Sequence, residues 1–202
     1  QGRGSAGRHG GHQPDHPVRM TEWRFVWSHG DDHETGHALS REMLALYRDK
    51  NPKKRDIPPC PGTVFVGNNG KPMASDCYFN ISHSHGLVAC AVSDVPVGID
   101  VEKIRPVPPR LMGILSLRER ESVRCDADFF RLWTLKEALI KCRGGVLGQI
   151  RHVHFDLSGS SIICSVPGYS FSLLPAPAGY AAALCWENIE EATESEEQNE
   201  HF

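Results

Sequence analysis

Apolar residues follow two rhythms along this chain, and the switch between them marks its elements. Within residues 129–145, FFRLWTLKEALIKCRGG, Leu132, Leu135, Leu139 and Cys142 recur at three- and four-residue intervals, which predicts a helix with one stripe against a core. Trp133, Glu137 and Lys141, four apart, share another face, and Gly144-Gly145 supplies the stop. A second helix is predicted over 33–47, where Ala38, Met43, Leu44 and Leu46 keep roughly helical spacing beside Arg41. A third opens after Ser116, with Glu119 three positions on in a capping-box arrangement. Short alternating runs predict strands at 23–27, 63–66, 77–82, 87–93 and 97–102, and again at 153–157, 162–165, 169–173 and 180–186. Residues 51–62, rich in Pro and Lys, and Gly67-Asn68-Asn69-Gly70 read as connections.

Each half thus runs as helix plus meander, a weak internal repeat within an α+β fold of mostly antiparallel sheets. The expected divisions are a flexible leader or expression remnant over 1–19, an α+β half over 20–94, a second over 95–186 and an acidic tail over 187–202 with seven glutamates. A net charge of −3 over 202 residues argues against nucleic acid as the main partner. No apolar run approaches membrane-spanning length, so no membrane association is expected. The seven cysteines are scattered and never form C-x-x-C, which fits reduced thiols in a cytoplasmic protein better than a disulfide framework or a zinc site.

Candidate chemistry comes from VGIDVE at 97–102. Alternation puts Asp100 and Glu102 on one face of the strand, about 7 Å apart along it, where like charges repel unless a cation intervenes. Alone, Glu137 with Lys141 is a surface helix pair worth about 0.3 kcal/mol. Joined to two strand carboxylates, Glu137 completes a set of oxygen ligands suited to Mg²⁺, with Lys136 and Lys141 placed for the phosphate that such an ion holds. Ser82-His83 reads as hydroxyl and imidazole donors to an anion. The H-x-H pairs His83/His85 and His152/His154 lack cysteine partners, which disfavours zinc.

VGIDVE, followed some thirty residues later by LWTLKEALIK and preceded by GKP and FNISHS, resembles the signature of the 4′-phosphopantetheinyl transferases, in particular the larger single-chain, surfactin-synthetase-activating type. The motifs run from Lys71 to Lys141; beyond them only GYAAALC is similar. The resemblance implies two similar α+β halves forming a pseudo-dimer, with coenzyme A in the cleft between them. It implies a holo-[acyl-carrier-protein] synthase that moves 4′-phosphopantetheine to a serine of an apo carrier protein and releases adenosine 3′,5′-bisphosphate. Position by position, Asp100, Glu102 and Glu137 match the Mg²⁺ ligands, and Lys136 and Lys141 match phosphate-binding lysines. Lys71 with Pro72, Ser82 and His83 match coenzyme contacts, and Arg41 the assisting helix arginine. Glu119 falls where a general base is proposed; its capping role explains it equally well, and a metal-bound water is the competing base. Arg118, Arg120, Leu111, Met112 and Leu115 are expected to form part of the carrier's docking surface. A single chain with two halves is expected to be monomeric. A Mg²⁺-dependent phosphohydrolase and a non-catalytic coenzyme- or carrier-binding module are the alternatives.

Overall fold

The computed structural model describes residues 21–51, 64–66, 72–74, 76–145 and 151–188. The expected leader, Cys60, Lys71 and the tail beyond residue 188 lie outside them. The chain runs β1 (Thr21–Trp27), α1 (Asp32–Lys50), β2 (Val64–Val66), β3 (Pro72–Ala74), β4 (Tyr78–Ser84), β5 (Leu87–Ser93) and β6 (Val97–Lys103). A 3₁₀ turn (Pro109–Ile114) leads into α2 (Leu117–Ser122) and α3 (Asp126–Arg143), then β7 (Phe155–Asp156), β8 (Ile163–Cys164), β9 (Tyr169–Leu173) and β10 (Tyr180–Glu187).

Two three-stranded antiparallel sheets form, ordered β1-β5-β4 and β6-β10-β9. Each order is first strand, last strand, penultimate strand of its stretch of chain, and each stretch also contributes a major helix and a two-stranded hairpin, β2-β3 or β7-β8. The sequence repeat therefore has a topological counterpart.

Four layers result. Leu39, Met43, Leu44 and Tyr47 of α1 pack on Phe79, Val88, Cys90 and Val92 of the first sheet. Leu87, Ala89 and Ala91 on the opposite face meet Val97, Ile99, Val101, Ala182 and Leu184 of the second sheet. Phe129, Leu132, Leu135, Leu139 and Cys142 of α3 cover Ala181, Ala183 and Cys185 on that sheet's outer face. β5 is apolar from Leu87 to Val92 because it is buried on both faces.

The predicted elements form with small shifts. α1 extends from 33–47 to 32–50, starting where Asp31 accepts from the N–H groups of His33 and Glu34. β10 takes in Glu187, one residue into the expected tail, because its N–H donates to Pro96 O. Gly144, at φ +66°, ends α3 as expected. No helix among the described residues is long and apolar enough to cross a membrane, and the six described cysteines are free.

Candidate active site

A cleft of about 280 Å³ opens where β4, β6 and α3 meet. Strand alternation in β6 sends Val97, Ile99 and Val101 into the core between the sheets and turns Gly98 toward α3. A Cβ on Gly98 would stand 2.0 Å from the Ala138 carbonyl oxygen and 2.5 Å from the Cys142 backbone nitrogen. Strand and helix main chains thus meet directly at that point, and Asp100 and Glu102, next along the same face, line the cleft with Glu137 and Lys141 of α3. Trp133, one turn before Glu137, and Ile81, Ser82 and His83 of β4 complete the lining.

The hydroxyl of Ser82 donates to Asp100 Oδ1 (2.8 Å) and accepts from Lys141 Nζ (2.9 Å) and the Val101 N–H (3.2 Å). Lys141 Nζ also donates to Asp100 Oδ1 (2.6 Å). Glu102 Oε2 accepts from Ser84 Oγ (2.9 Å) and Arg105 Nη1 (3.0 Å). Two buried carboxylate oxygens, Asp100 Oδ2 and Glu137 Oε1, have no hydrogen-bond partner among the described residues. Burial, reinforced by the charge of Asp100, pushes the Glu137 carboxyl up to about 7, and Lys141 only partly offsets this. Asp100 is raised for the same leading reason, against the opposing pull of Lys141 and Ser82.

An unpartnered buried carboxylate is costly unless a cation or a proton compensates it. Hard oxygen donors, two of them orphaned in one cleft, fit Mg²⁺ in donor chemistry. The ligand shell is not preassembled: among the described residues, no group of three or more His, Cys, Asp or Glu stands close enough to hold an ion. Glu102 Oε2 is engaged by Ser84 and Arg105 and Asp100 Oδ1 by Ser82 and Lys141, while Asp100 Oδ2 has no partner among the described residues.

The other expected site residues divide. His83 lines the cleft, its ring 4.6 Å from that of His33 and its Nδ1 3.8 Å from Asp32. Ser82, expected to donate to a bound anion, here gives its proton to Asp100. Lys136, expected beside a phosphate, is fully buried away from the cleft; its ammonium donates to Val153 O and contacts Glu119 Oε1 at 2.9 Å. Glu119, the expected base, lines no part of the cleft and accepts from the N–H groups of Phe155 (2.9 Å) and Ser116 (2.7 Å). It closes the predicted capping box. The physical reason is helical period: Lys136 and Glu137 are adjacent, about 100° apart around α3, so they face different neighbours. Arg41 is exposed on α1 and does not line the cleft, Pro72 opens β3, and Lys71 lies outside the described residues. Leu115 is a core residue at 2% exposure rather than a docking residue.

Sequence reasoning missed Asn80, Ser84 and Arg105, and gave Trp133 a face with Glu137 and Lys141 but no part in the site. The signal for the first two was the N-x-S-x-S spacing of 80–84, which places three short polar side chains on one face of a strand.

A sequence model of the 4′-phosphopantetheinyl transferase superfamily matches residues 96–185, from the start of β6 into β10. A 4′-phosphopantetheinyl transferase of Bacillus pumilus is 34% identical over 117 residues, covering 53% of this chain and 48% of that protein. Sfp of Bacillus subtilis (strain 168) is 29% identical over 84% of this chain and 80% of its own length. The match thus spans about half of the Bacillus pumilus relative. AcpT of Escherichia coli (strain K12), also a 4′-phosphopantetheinyl transferase, is 33% identical over 139 residues, which cover 60% of this chain and 70% of AcpT. With the cleft built from β6 and α3, both inside the matched segment, the chain belongs to the 4′-phosphopantetheinyl transferase superfamily.

Proposed function

We propose that this protein transfers the 4′-phosphopantetheine of coenzyme A to a serine of an apo acyl or peptidyl carrier protein. The observation that carries the reading is the pair of unpartnered buried carboxylate oxygens, on Asp100 and Glu137, in a cleft that also presents Lys141. Such a set suits a diphosphate accompanied by a divalent ion and suits a neutral ligand poorly. Asp100, Glu102 and Glu137 would hold Mg²⁺, which supplies neutralisation of the charge that develops on the leaving group.

The chain's own residues account for the rest. In the reaction the serine oxygen bonds to the β-phosphorus, the bond to adenosine 3′,5′-bisphosphate breaks, and the serine proton is lost. Lys141, already among oxygen acceptors in the cleft, would turn its ammonium to a phosphate oxygen. His83, in the cleft lining beside Asp32 and His33 of α1, would donate to a further phosphate. Glu119 is taken up by Lys136 and two backbone N–H groups, so the proton leaves to an acceptor on the cleft side. The Lys136–Glu119 pair instead fixes α3 relative to α2 and the segment around Val153. We take the protein as a monomer, because strand β4 of the first stretch and β6 with α3 of the second already build the cleft, and as cytoplasmic, because its scattered cysteines include no C-x-x-C pair.

The decisive experiment incubates the protein with coenzyme A and Mg²⁺, with and without an apo carrier protein, and weighs the carrier. Gain of one phosphopantetheine, lost in Glu102→Gln, is expected. Consumption of coenzyme A without a carrier would indicate a phosphohydrolase, and binding without turnover a non-catalytic module.

A further inference from the structure

The two sheets meet along an unusual seam. β6 has one paired edge, with β10; the N–H groups of Ile99, Val101 and Lys103 on its other edge are taken by side chains of β4. Asn80 Oδ1 accepts from Ile99 (2.9 Å), Ser82 Oγ from Val101 (3.2 Å) and Ser84 Oγ from Lys103 (3.2 Å). Alternation on β4 matches alternation on β6, so one rung falls every two residues. A free edge that would otherwise leave buried donors unsatisfied is thereby capped without strand pairing.

The rungs do more than cap. Ser82 spends its proton on Asp100, and Ser84 spends its own on Glu102, so each serine spans a backbone N–H and the neighbouring carboxylate. Ser84 is only 8% exposed and its geometry is fixed from below by a tight hairpin: β4 and β5 are joined by His85 and Gly86, both at positive φ (48° and 82°) as in a type I′ turn. The hairpin tip is itself tied down, with Tyr180 Oη donating to His85 O (2.8 Å) and the Gly86 N–H donating to Asp32 Oδ2 (3.2 Å).

We propose that Ser84 is a positioning residue that orients Glu102 for the divalent ion, working through Glu102 and never touching the substrate. This rests on the Mg²⁺ reading above. A hydroxyl that spans a fixed N–H and a carboxylate oxygen narrows that carboxylate to one rotamer, and outer partners of this kind typically contribute 10- to 100-fold in metal affinity. Arg105 shares the same oxygen and is held by Lys103 O (2.9 Å) and the Phe130 ring, but at 40% exposure its pull on Glu102 is screened by solvent, whereas the buried Ser84 hydroxyl is not.

The test titrates Mn²⁺ into the full-length protein by calorimetry, with no coenzyme or carrier present, for wild type, Ser84→Ala, Ser84→Thr and Glu102→Gln. Ser84→Ala is expected to bind Mn²⁺ about 10-fold more weakly, and Ser84→Thr, which keeps the hydroxyl, to restore it. In turnover, the Ser84→Ala deficit should shrink as Mg²⁺ is raised, with KM for coenzyme A unchanged. If Ser84→Ala does not fold, Ser84→Cys, close in size with a weak donor, carries the same expectation. Wild-type binding with an equal constant in the variant overturns the positioning role alone, whether or not its Tm falls. Absence of Mn²⁺ binding in wild type, with Glu102→Gln no different, overturns the metal reading and this proposal with it.

Discussion

Replacing Glu119 by Gln separates a structural role from a chemical one. Glu119 Oε1 receives Lys136 Nζ and the Phe155 N–H, and Oε2 receives the Ser116 N–H, all with the carboxylate at 2% exposure. Glutamine has one acceptor oxygen and an NH₂ group, so whichever way it sits, at least one of those donors meets another donor. Lys136, whose ammonium burial already pulls below its ordinary pKa, loses its counter-charge. Breaking a buried pair by removing one partner costs about 3–5 kcal/mol. With a urea m-value of roughly 2 kcal/mol/M, the unfolding midpoint should fall by about 1.5–2.5 M. Glu119→Gln/Lys136→Met, which removes both charges, should lose less than the two single changes added together. At a temperature where the single variant is folded, turnover per folded molecule should stay within about 3-fold of wild type, whereas loss of a general base costs about 10²–10⁴-fold. A variant as stable as wild type and inactive would refute the structural assignment and return Glu119 to the chemistry.

Three further outcomes are expected. Without divalent ions, Glu137 holds its proton up to about pH 7 when folded and only to 4.5 when unfolded. The folded state binds the extra proton between those values, so the Glu137 contribution to stability should drop by about 3 kcal/mol as pH rises from 4.5 to 7 and level off above; the difference between wild-type and Glu137→Gln thermal melts across pH reads that contribution. Gly98→Ala should cost more than 3 kcal/mol, about the scale of severe core lesions, because its methyl meets main-chain atoms of α3 that cannot turn aside; near-native stability on chemical denaturation would contradict that contact. Charge reversal of Arg118, exposed and paired with Asp156, together with Arg120 should raise KM for the carrier and leave coenzyme A affinity unchanged, and equal loss of both would tell against docking there.

How far the sequence could be read depended on whether local rules or long-range partners decided a residue's place. The Leu132–Leu139 stripe, the Ser116 cap and the Gly144 stop obey near-neighbour physics and were legible. So was the separate face of Trp133, Glu137 and Lys141, since period alone groups them. Proximity in the motif puts Lys136 beside the phosphate, but the same period turns it the other way, and its partners, Glu119 and Val153 O, lie 17 residues away in either direction. Sequence alone does not decide Glu119 for the same reason: a capping box visible within four residues gives no hint of Phe155 and Lys136 beyond it. His85, in sequence only half of an H-x-H pair, takes its place in the hairpin, where histidine is among the residues that enter the left-handed region more readily. Arg105 stands three residues past Glu102, but only the fold shows that the chain turns it back.

The bare contact at Gly98 bears on how the cleft tolerates change elsewhere in the chain. Most jaws in proteins are spaced by side chains, and their gape drifts whenever a core residue is exchanged for a bulkier or slimmer one. Here the spacing between β6 and α3 is set by peptide planes resting on each other, so substitutions elsewhere in the hydrophobic layers can accumulate without altering how wide the acidic mouth stands.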